Sequence, residues 1–271
     1  MRKLYIIGIG AGNPEYLTMQ AIKALNLVDV FFFVYKGEAR EDLVDLRKAI
    51  CQQYITQHPY RVVQADDPVR DATIADYSAR VEHWHQQRVL IYEDLIQREL
   101  AEDQCGAFLV WGDPSLYDST LRIIDQITAR ANVDFDYEVI PGITSIQALA
   151  ARHRIPLNGI GESVLITTGR HLASGLPEGV SKIVVMLDGQ CAFKNIPHEN
   201  LDIFWGAYLG MDNEILLSGK LSELSDTIEA SRKKEQAKSG WIMDTYLLSK
   251  KKEKSDGLSR PWVNPLTVDL P

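Results

Sequence analysis

At 271 residues the chain is long enough for one large domain or two modest ones, with cores that need no covalent staples. Its three cysteines, Cys51, Cys105 and Cys191, are far apart and lack CxxC spacing, which argues against a disulfide scaffold or a zinc site and suits a reducing cytoplasm. A formal charge of -8 disfavours a nonspecific nucleic-acid surface while leaving room for a local basic pocket, and no apolar run reaches the ~20 residues of a membrane helix.

Met1-Arg2-Lys3 ahead of an apolar stretch imitates a signal peptide. Glycines interrupt that stretch, however, and Asn13-Pro14-Glu15 stands where a small-residue cleavage site belongs, so no targeting segment is expected. Apolar and amphipathic runs then alternate: a strand over 3–8, a helix over 18–27, a strand over 30–34, a helix over 41–54 and a strand over 60–65. This rhythm predicts an α/β sheet with crossover helices. A long helix is expected over 74–102, where Tyr77, Val81, Trp84, Ile91 and Leu95 recur mainly at helical spacing as a core stripe. A strand over 106–111 precedes a helix over 119–131, with Leu121, Ile124, Ile127 and Thr128 near one face. After a strand over 137–140, Pro141-Gly142 breaks the chain and a short helix resumes over 143–152.

The second half predicts strands over 163–168, 182–187, 203–209, 214–217 and 241–248 and a helix over 222–231. The expected fold is therefore α/β, with two domains, 1–140 and 141–248, each a mixed sheet flanked by helices. The charged run after residue 248, followed by Pro261 and Pro265, reads as a surface tail over 249–271.

Gly8-Ile9-Gly10-Ala11-Gly12 follows a strand and precedes a helix, inviting a dinucleotide reading. The spacing fails, because GxGxxG from Gly8 requires glycine at Asn13, and Asn13-Pro14 interrupts the helix that should face a pyrophosphate. Asp29 also opens the next strand where a ribose-binding acid should end it. A tight turn packed beneath a helix beginning after Thr18 is the plainer alternative.

The run Val110-Trp111-Gly112-Asp113-Pro114-Ser115-Leu116-Tyr117 sits between a strand and a helix, where open α/β sheets place ligands. Gly112 permits close backbone approach, Pro114 stiffens the loop, and the Asp113 carboxylate suits a cationic ligand end and repels phosphates. A type I turn capped by Ser119 would also account for it. In Pro141-Gly142-Ile143-Thr144-Ser145, hydroxyls open a helix, either as caps or as ligand contacts. His83 and His85 are two apart on a helix and point to different faces, so no metal site is expected. Arg170-His171 is either a contact for an anionic substrate or simply exposed.

The three segments in this order resemble the tetrapyrrole methylase family, which carries a GxGxG start followed by LT, a GDP loop and a PGI(S/T)S segment. The resemblance spans about residues 4–248 and implies two α/β domains, an S-adenosylmethionine cleft between them, and a homodimer in the cytoplasm. Carried over position by position, cofactor contacts fall at Gly112, Asp113, Pro114, Tyr117, Thr144 and Ser145, with backbone contacts at Met186, Leu187 and Leu209. Tyr35-Lys36-Gly37-Glu38-Ala39-Arg40-Glu41-Asp42-Leu43 with Arg47, then Asp67-Pro68-Val69-Arg70-Asp71, then Trp111 to Thr120, narrow the resemblance to a deacetylating branch of the family. That branch implies methylation of C1 of precorrin-5 with release of its acetyl group as acetate, giving precorrin-6A and S-adenosylhomocysteine.

Methyl transfer from a sulfonium needs positioning more than acid or base help. Deacetylation needs an attacking water and a base; Tyr35, Lys36 and Asp42 are the candidates. Some relatives place a catalytic aspartate after the second strand, but Val34-Tyr35-Lys36 stands there in this chain. Lys36, Arg40, Arg47 and Arg70, with Gly10, are the expected substrate contacts, the cations pairing with substrate carboxylates. A methylase with another target carbon, or a noncatalytic tetrapyrrole or nucleotide carrier, remains as an alternative.

Overall fold

The computed structural model describes residues 1–35, 41–176 and 178–250, with backbone only over 41–43. Within these residues ten strands form two five-stranded sheets. The first is built from β1 (Arg2–Gly8), β2 (Val30–Tyr35), β3 (Arg61–Asp66), β4 (Cys105–Val110) and β5 (Phe135–Ile140) in the order β3-β2-β4-β1-β5. Every pairing in it is parallel, where a mixed sheet was expected. The cause is that helices α1 (Met19–Leu25), α2 (Glu41–Tyr54), α3 (Tyr77–Glu99) and α4 (Thr120–Arg130) connect successive strands, and a crossover returns the chain in the same direction.

Side-chain alternation divides each strand between two cores. Ile7, Phe31, Phe33 and Leu109 pack with Leu25 and Ile50 on one face. Leu4, Ile6, Phe32 and Phe108 pack with Leu95, Ile96, Ile123 and Ile127 on the other. Burial on both faces explains why the central strands read as unbroken apolar runs. In α3 the buried stripe is Trp84, Val89, Tyr92, Leu95 and Ile96, while Tyr77 at its start is exposed and Ile91 only partly buried. In α4 the buried face is Thr120, Ile123, Ile124 and Ile127; Thr128 lies outside it, its hydroxyl donating to the Ile124 carbonyl.

The second sheet, of β6 (Val164–Thr168), β7 (Lys182–Met186), β8 (Leu201–Ala207), β9 (Ile215–Lys220) and β10 (Asp244–Lys250), runs β6-β7-β10-β8-β9. Only β6 and β7 are parallel, so this sheet is mixed. Helix α5 (Ser145–His153) and the short α6 (Gly169–Leu172) precede β7, and α7 (Leu221–Ser239) packs on β8 and β9. Helix α7 outruns its expected end at residue 231 because Arg232 and Glu235 are buried, so polar side chains continue the inward stripe that apolar ones began. Strand β10 likewise runs past residue 248: Ser249 lies opposite Lys182 and accepts a hydrogen bond from its ammonium at 2.6 Å. The expected tail therefore loses Ser249 and Lys250 to the sheet, and 251–271 lie outside the described residues.

Candidate functional site

Strand β1 lies between β4 and β5, so the turns leaving all three strands meet at one carboxyl edge of the first sheet. Their approach is as close as backbones allow. Gly10 and Gly112 form an antiparallel bridge, with N–H to carbonyl distances of 3.2 and 2.8 Å. A Cβ on Gly142 would overlap the Gly112 carbonyl oxygen and the backbone of Gly8, so only glycine lets the three turns touch.

Asp113 locks this junction. Its Oδ1 accepts the Ser115 N–H at 2.8 Å and the Ser115 hydroxyl, while Oδ2 accepts the Gly142 N–H at 2.8 Å. The Leu116 N–H closes a turn on the Asp113 carbonyl at 3.2 Å. Burial raises the Asp113 pKa, but the hydrogen bonds from Ser115 and Gly142 outweigh it and hold the carboxyl below its ordinary value. Pro114 is buried. Ser119 supplies no helix cap: Asp118 accepts the Thr120 N–H at 2.6 Å, and the Ser119 hydroxyl instead accepts from Arg88 at 2.6 Å.

Thr144 caps α5 through a reciprocal box with Gln147. The Thr245 hydroxyl of β10 donates to the Ser145 hydroxyl at 2.9 Å, tying the start of α5 to the second sheet. A cavity of about 170 Å³ lies where these elements meet. One wall is Gly112, Asp113, Tyr117, Asp118, Thr144 and Ser145; the facing wall is Met186, Leu187, Leu209, Met243, Asp244 and Thr245. Leu187 and Tyr117 hold positive φ angles of 53° and 52° with side chains 65% and 43% exposed, so strained backbone and uncovered apolar surface coincide on the cavity wall.

Beneath that wall is a buried polar network that the sequence reading did not anticipate. The Asp188 carboxylate accepts the Gln190 N–H at 3.0 Å, the Ala192 N–H at 2.7 Å and the Tyr246 hydroxyl at 2.6 Å. Arg232 donates to the Asp188 carbonyl at 2.6 Å and to Asp244, which also accepts the Trp205 indole N–H at 2.7 Å. Burial pushes the Asp244 carboxyl up to about 6 against the opposing pull of Arg232 and Trp205. The Leu187-Asp188-Gly189 strand exit was the one available hint; Arg232 and Asp244 carried none.

Of the expected cofactor contacts, the structure gathers Gly112, Asp113, Tyr117, Thr144, Ser145, Met186, Leu187 and Leu209 around this cavity; Pro114 does not line it. Trp111 and Leu116, from the loop expected to form the site, join them, and Ala11, Asp118, Met243, Asp244 and Thr245 do so unforeseen. The expected catalytic and substrate residues are placed elsewhere. Gly10 has φ 81°, and a Cβ there would meet Tyr16. Tyr35 ends β2, packed against the first core, its carbonyl accepting the Asp67 N–H at 2.8 Å. Arg47 donates to the Leu109 carbonyl at 3.0 Å, and burial lowers its pKa. Arg70 stacks its guanidinium on Trp84 at 4.6 Å. Lys36, Arg40 and the side chain of Asp42 lie outside the described residues.

Two of the three segments that narrowed the resemblance, 67–71 and 111–120, meet through Arg88, which sequence reading missed. Its guanidinium pairs with Asp67 at 2.7 Å, donates to Ser119 and to the Tyr92 hydroxyl, and stacks on Trp84 at 4.7 Å.

A sequence profile of the tetrapyrrole (corrin/porphyrin) methylases matches residues 3–225. The chain is 52% identical over 250 residues to the precorrin-6A synthase (deacetylating) of a Sinorhizobium species, covering 92% of this chain and 96% of that protein. Among solved structures it is similar to a cobalamin synthesis related protein (CobF) from Corynebacterium diphtheriae, at 38% identity and a TM-score of 0.79, covering 92% of this chain and 99% of that one. A uroporphyrin-III C-methyl transferase from Thermus thermophilus, complexed with S-adenyl homocysteine, shares the fold at 16% identity and a TM-score of 0.53, covering 91% of this chain and 97% of that one.

Proposed function

The chain belongs to the tetrapyrrole (corrin/porphyrin) methylases, and from that premise we propose that it methylates C1 of precorrin-5 with S-adenosylmethionine and releases the acetyl group as acetate, giving precorrin-6A in cobalamin biosynthesis. The observation that carries this reading is the 52% identity to a deacetylating precorrin-6A synthase over nearly the whole of both chains.

The cavity suits such a cofactor on its own chemistry. Asp113 and Asp118 lie on its wall, with Asp244 already paired to Arg232, and among the described residues no lysine or arginine lines it, a balance that favours a cationic ligand and opposes a pyrophosphate. Uncovered Leu187 and Tyr117 offer apolar surface for a flat base, and Thr144 and Ser145 offer hydroxyls. When bound, S-adenosylmethionine supplies an activated methyl group; the chain's own contribution is placement. The glycine junction, locked by Asp113, and the Leu187 turn, held by Asp188, present two rigid walls, so nucleophile and methyl donor meet in line with little freedom left to lose.

For the water that removes the acetyl group, Tyr35, Lys36 and Asp42 are the proposed bases, and Lys36, Arg40 and Arg70 the proposed carboxylate partners. Arg47 is the weaker candidate, because its guanidinium is committed to the Leu109 carbonyl. We further propose two domains, over 1–140 and from 141 to the end of the second sheet, supported by the separation of the two sheets in sequence. A cytoplasmic homodimer completes the reading, supported by the cysteines standing free as thiols and by the family resemblance; light scattering tests the dimer. Among the described residues no helix is long and apolar enough to cross a membrane.

The test is an anaerobic incubation of precorrin-5 with methyl-labelled S-adenosylmethionine, following label and acetate together. Both should rise in step. Label without acetate would remove the deacetylating half of the proposal, and cofactor binding without S-adenosylhomocysteine formation would indicate a carrier.

A further inference from the structure

Most arginines of this acidic chain have carboxylate or carbonyl partners. Arg61, Arg88, Arg98, Arg130, Arg152 and Arg232 pair with acids. Arg70 and Arg170 do not: among the described residues neither has a carboxylate partner, and both are exposed. They nevertheless converge. Arg170, on the short helix α6, lies over the ring of Tyr77 at 4.1 Å, and Tyr77 is the first residue of α3. Arg70 lies near the same residue on the segment before α3, its guanidinium steadied on Trp84 at 4.6 Å. Hydrogen bonding from Arg170 leads the effects that hold the Tyr77 phenol below its ordinary pKa, with Arg70 adding to it. Two cations from opposite halves of the chain, without a carboxylate partner among the described residues, thus lie about one aromatic residue, an arrangement that self-repulsion opposes until an anion arrives.

A second cavity, of about 310 Å³, adjoins Arg170. Arg170, Gln190 and Asn195 line it together with Leu187, the residue that also forms a wall of the cofactor cavity. Among the described residues the acid on its wall is Asp188, already engaged by two backbone amides and Tyr246. A ligand lying over Leu187 therefore reaches from the methyl donor's cavity to the guanidinium of Arg170.

We propose that Arg170 and Arg70, bridged by Tyr77, form a carboxylate site spanning the two halves of the chain, which anchors one acidic arm of the substrate and sets which ring carbon faces the methyl donor. This rests on the tetrapyrrole reading for the identity of the substrate, but the site itself requires only a carboxylated macrocycle. Planar guanidinium forks match carboxylates in two-point contact, which an ammonium cannot reproduce.

Uroporphyrin, a polycarboxylated porphyrin, serves as the binding probe, followed by quenching of protein fluorescence, with S-adenosylhomocysteine affinity measured alongside by calorimetry. Arg170→Ala should weaken uroporphyrin binding about tenfold, equivalent to about 1.4 kcal/mol, with Arg170→Lys intermediate, Arg70→Ala similar to Arg170→Ala, and S-adenosylhomocysteine affinity unchanged. With precorrin-5, Arg170→Ala should raise KM and divert part of the methylation from the ring carbon that the wild type selects; unchanged KM with an unchanged product would overturn the anchoring role. Uroporphyrin binding that ignores both alanine variants, or that falls only in parallel with S-adenosylhomocysteine affinity, overturns the site. If the wild-type chain fails to turn over precorrin-5 while arginine-dependent uroporphyrin binding persists, the carboxylate site stands and the assigned reaction falls.

Discussion

The Asp113 carboxylate accepts the backbone N–H of Gly142 at 2.8 Å, so the side chain of one cavity turn fixes the first residue of another, 29 positions downstream. The same carboxylate folds its own loop through Ser115. Asp113 therefore acts on a ligand through the shape it gives two backbones, whatever direct contact it also makes.

Asp113→Asn removes the charge and turns part of the acceptor set into donors. Loss of hydrogen bonds to a charged group costs about 1.5–3 kcal/mol, measurable by urea unfolding, and S-adenosylhomocysteine affinity should fall with it. Because the folded pKa lies below the ordinary value of 3.8, this stabilisation is present above that pH and is lost as pH falls through the lower folded value. The variant should lack that acid-side loss; an unchanged acid limb in Asp113→Asn would contradict the assignment.

Gly142→Ala introduces a methyl group where the Gly112 carbonyl oxygen already sits. Backbone cannot rotate away as a side chain would, so a cost of about 1–3 kcal/mol is expected, together with loss of measurable S-adenosylhomocysteine binding in calorimetry. Wild-type affinity in a folded Gly142→Ala protein would show that the three turns need not touch.

Leu187 should show stability and binding moving in different directions. Its left-handed backbone costs about 1–3 kcal/mol, and its exposed side chain returns little of that in the ligand-free fold. Leu187→Gly should leave the melting temperature unchanged or raised while weakening S-adenosylhomocysteine binding about tenfold or more, through lost apolar contact. A fall in melting temperature with unchanged affinity would reverse the role given to this residue.

Asp244 opposes the usual pH behaviour of a carboxylate. Its folded pKa is raised from 3.8 to about 6, so its favourable contribution is fully present below the unfolded value and is lost as pH rises through about 6. The difference in unfolding free energy between wild type and Asp244→Asn should therefore shrink as pH climbs across that window. A difference that grows there would mean that Arg232 dominates burial and that the carboxyl is held ionised.

Much of this architecture was legible along the chain because it is local. Unbroken apolar runs marked the central parallel strands, and glycine or proline breaks marked the turns leaving β1, β4 and β5, since backbone freedom is set residue by residue. Most of the residues expected to hold the cofactor gather around one cavity for the same reason: they sit at strand exits whose composition is unusual in itself. The end of α7 was misjudged because Arg232 and Glu235 look solvated in sequence and become buried only through distant partners. No pattern along the chain could show that Arg88 joins Asp67 to Ser119, that Arg170 lies over Tyr77, or that Asp188 steadies the Leu187 turn through Tyr246. Local sequence specifies which backbones turn and which faces are apolar; the pairing of charges between distant segments depends on distances that exist only once the sheets have formed, because a buried ion is stable only beside the partner that folding brings to it.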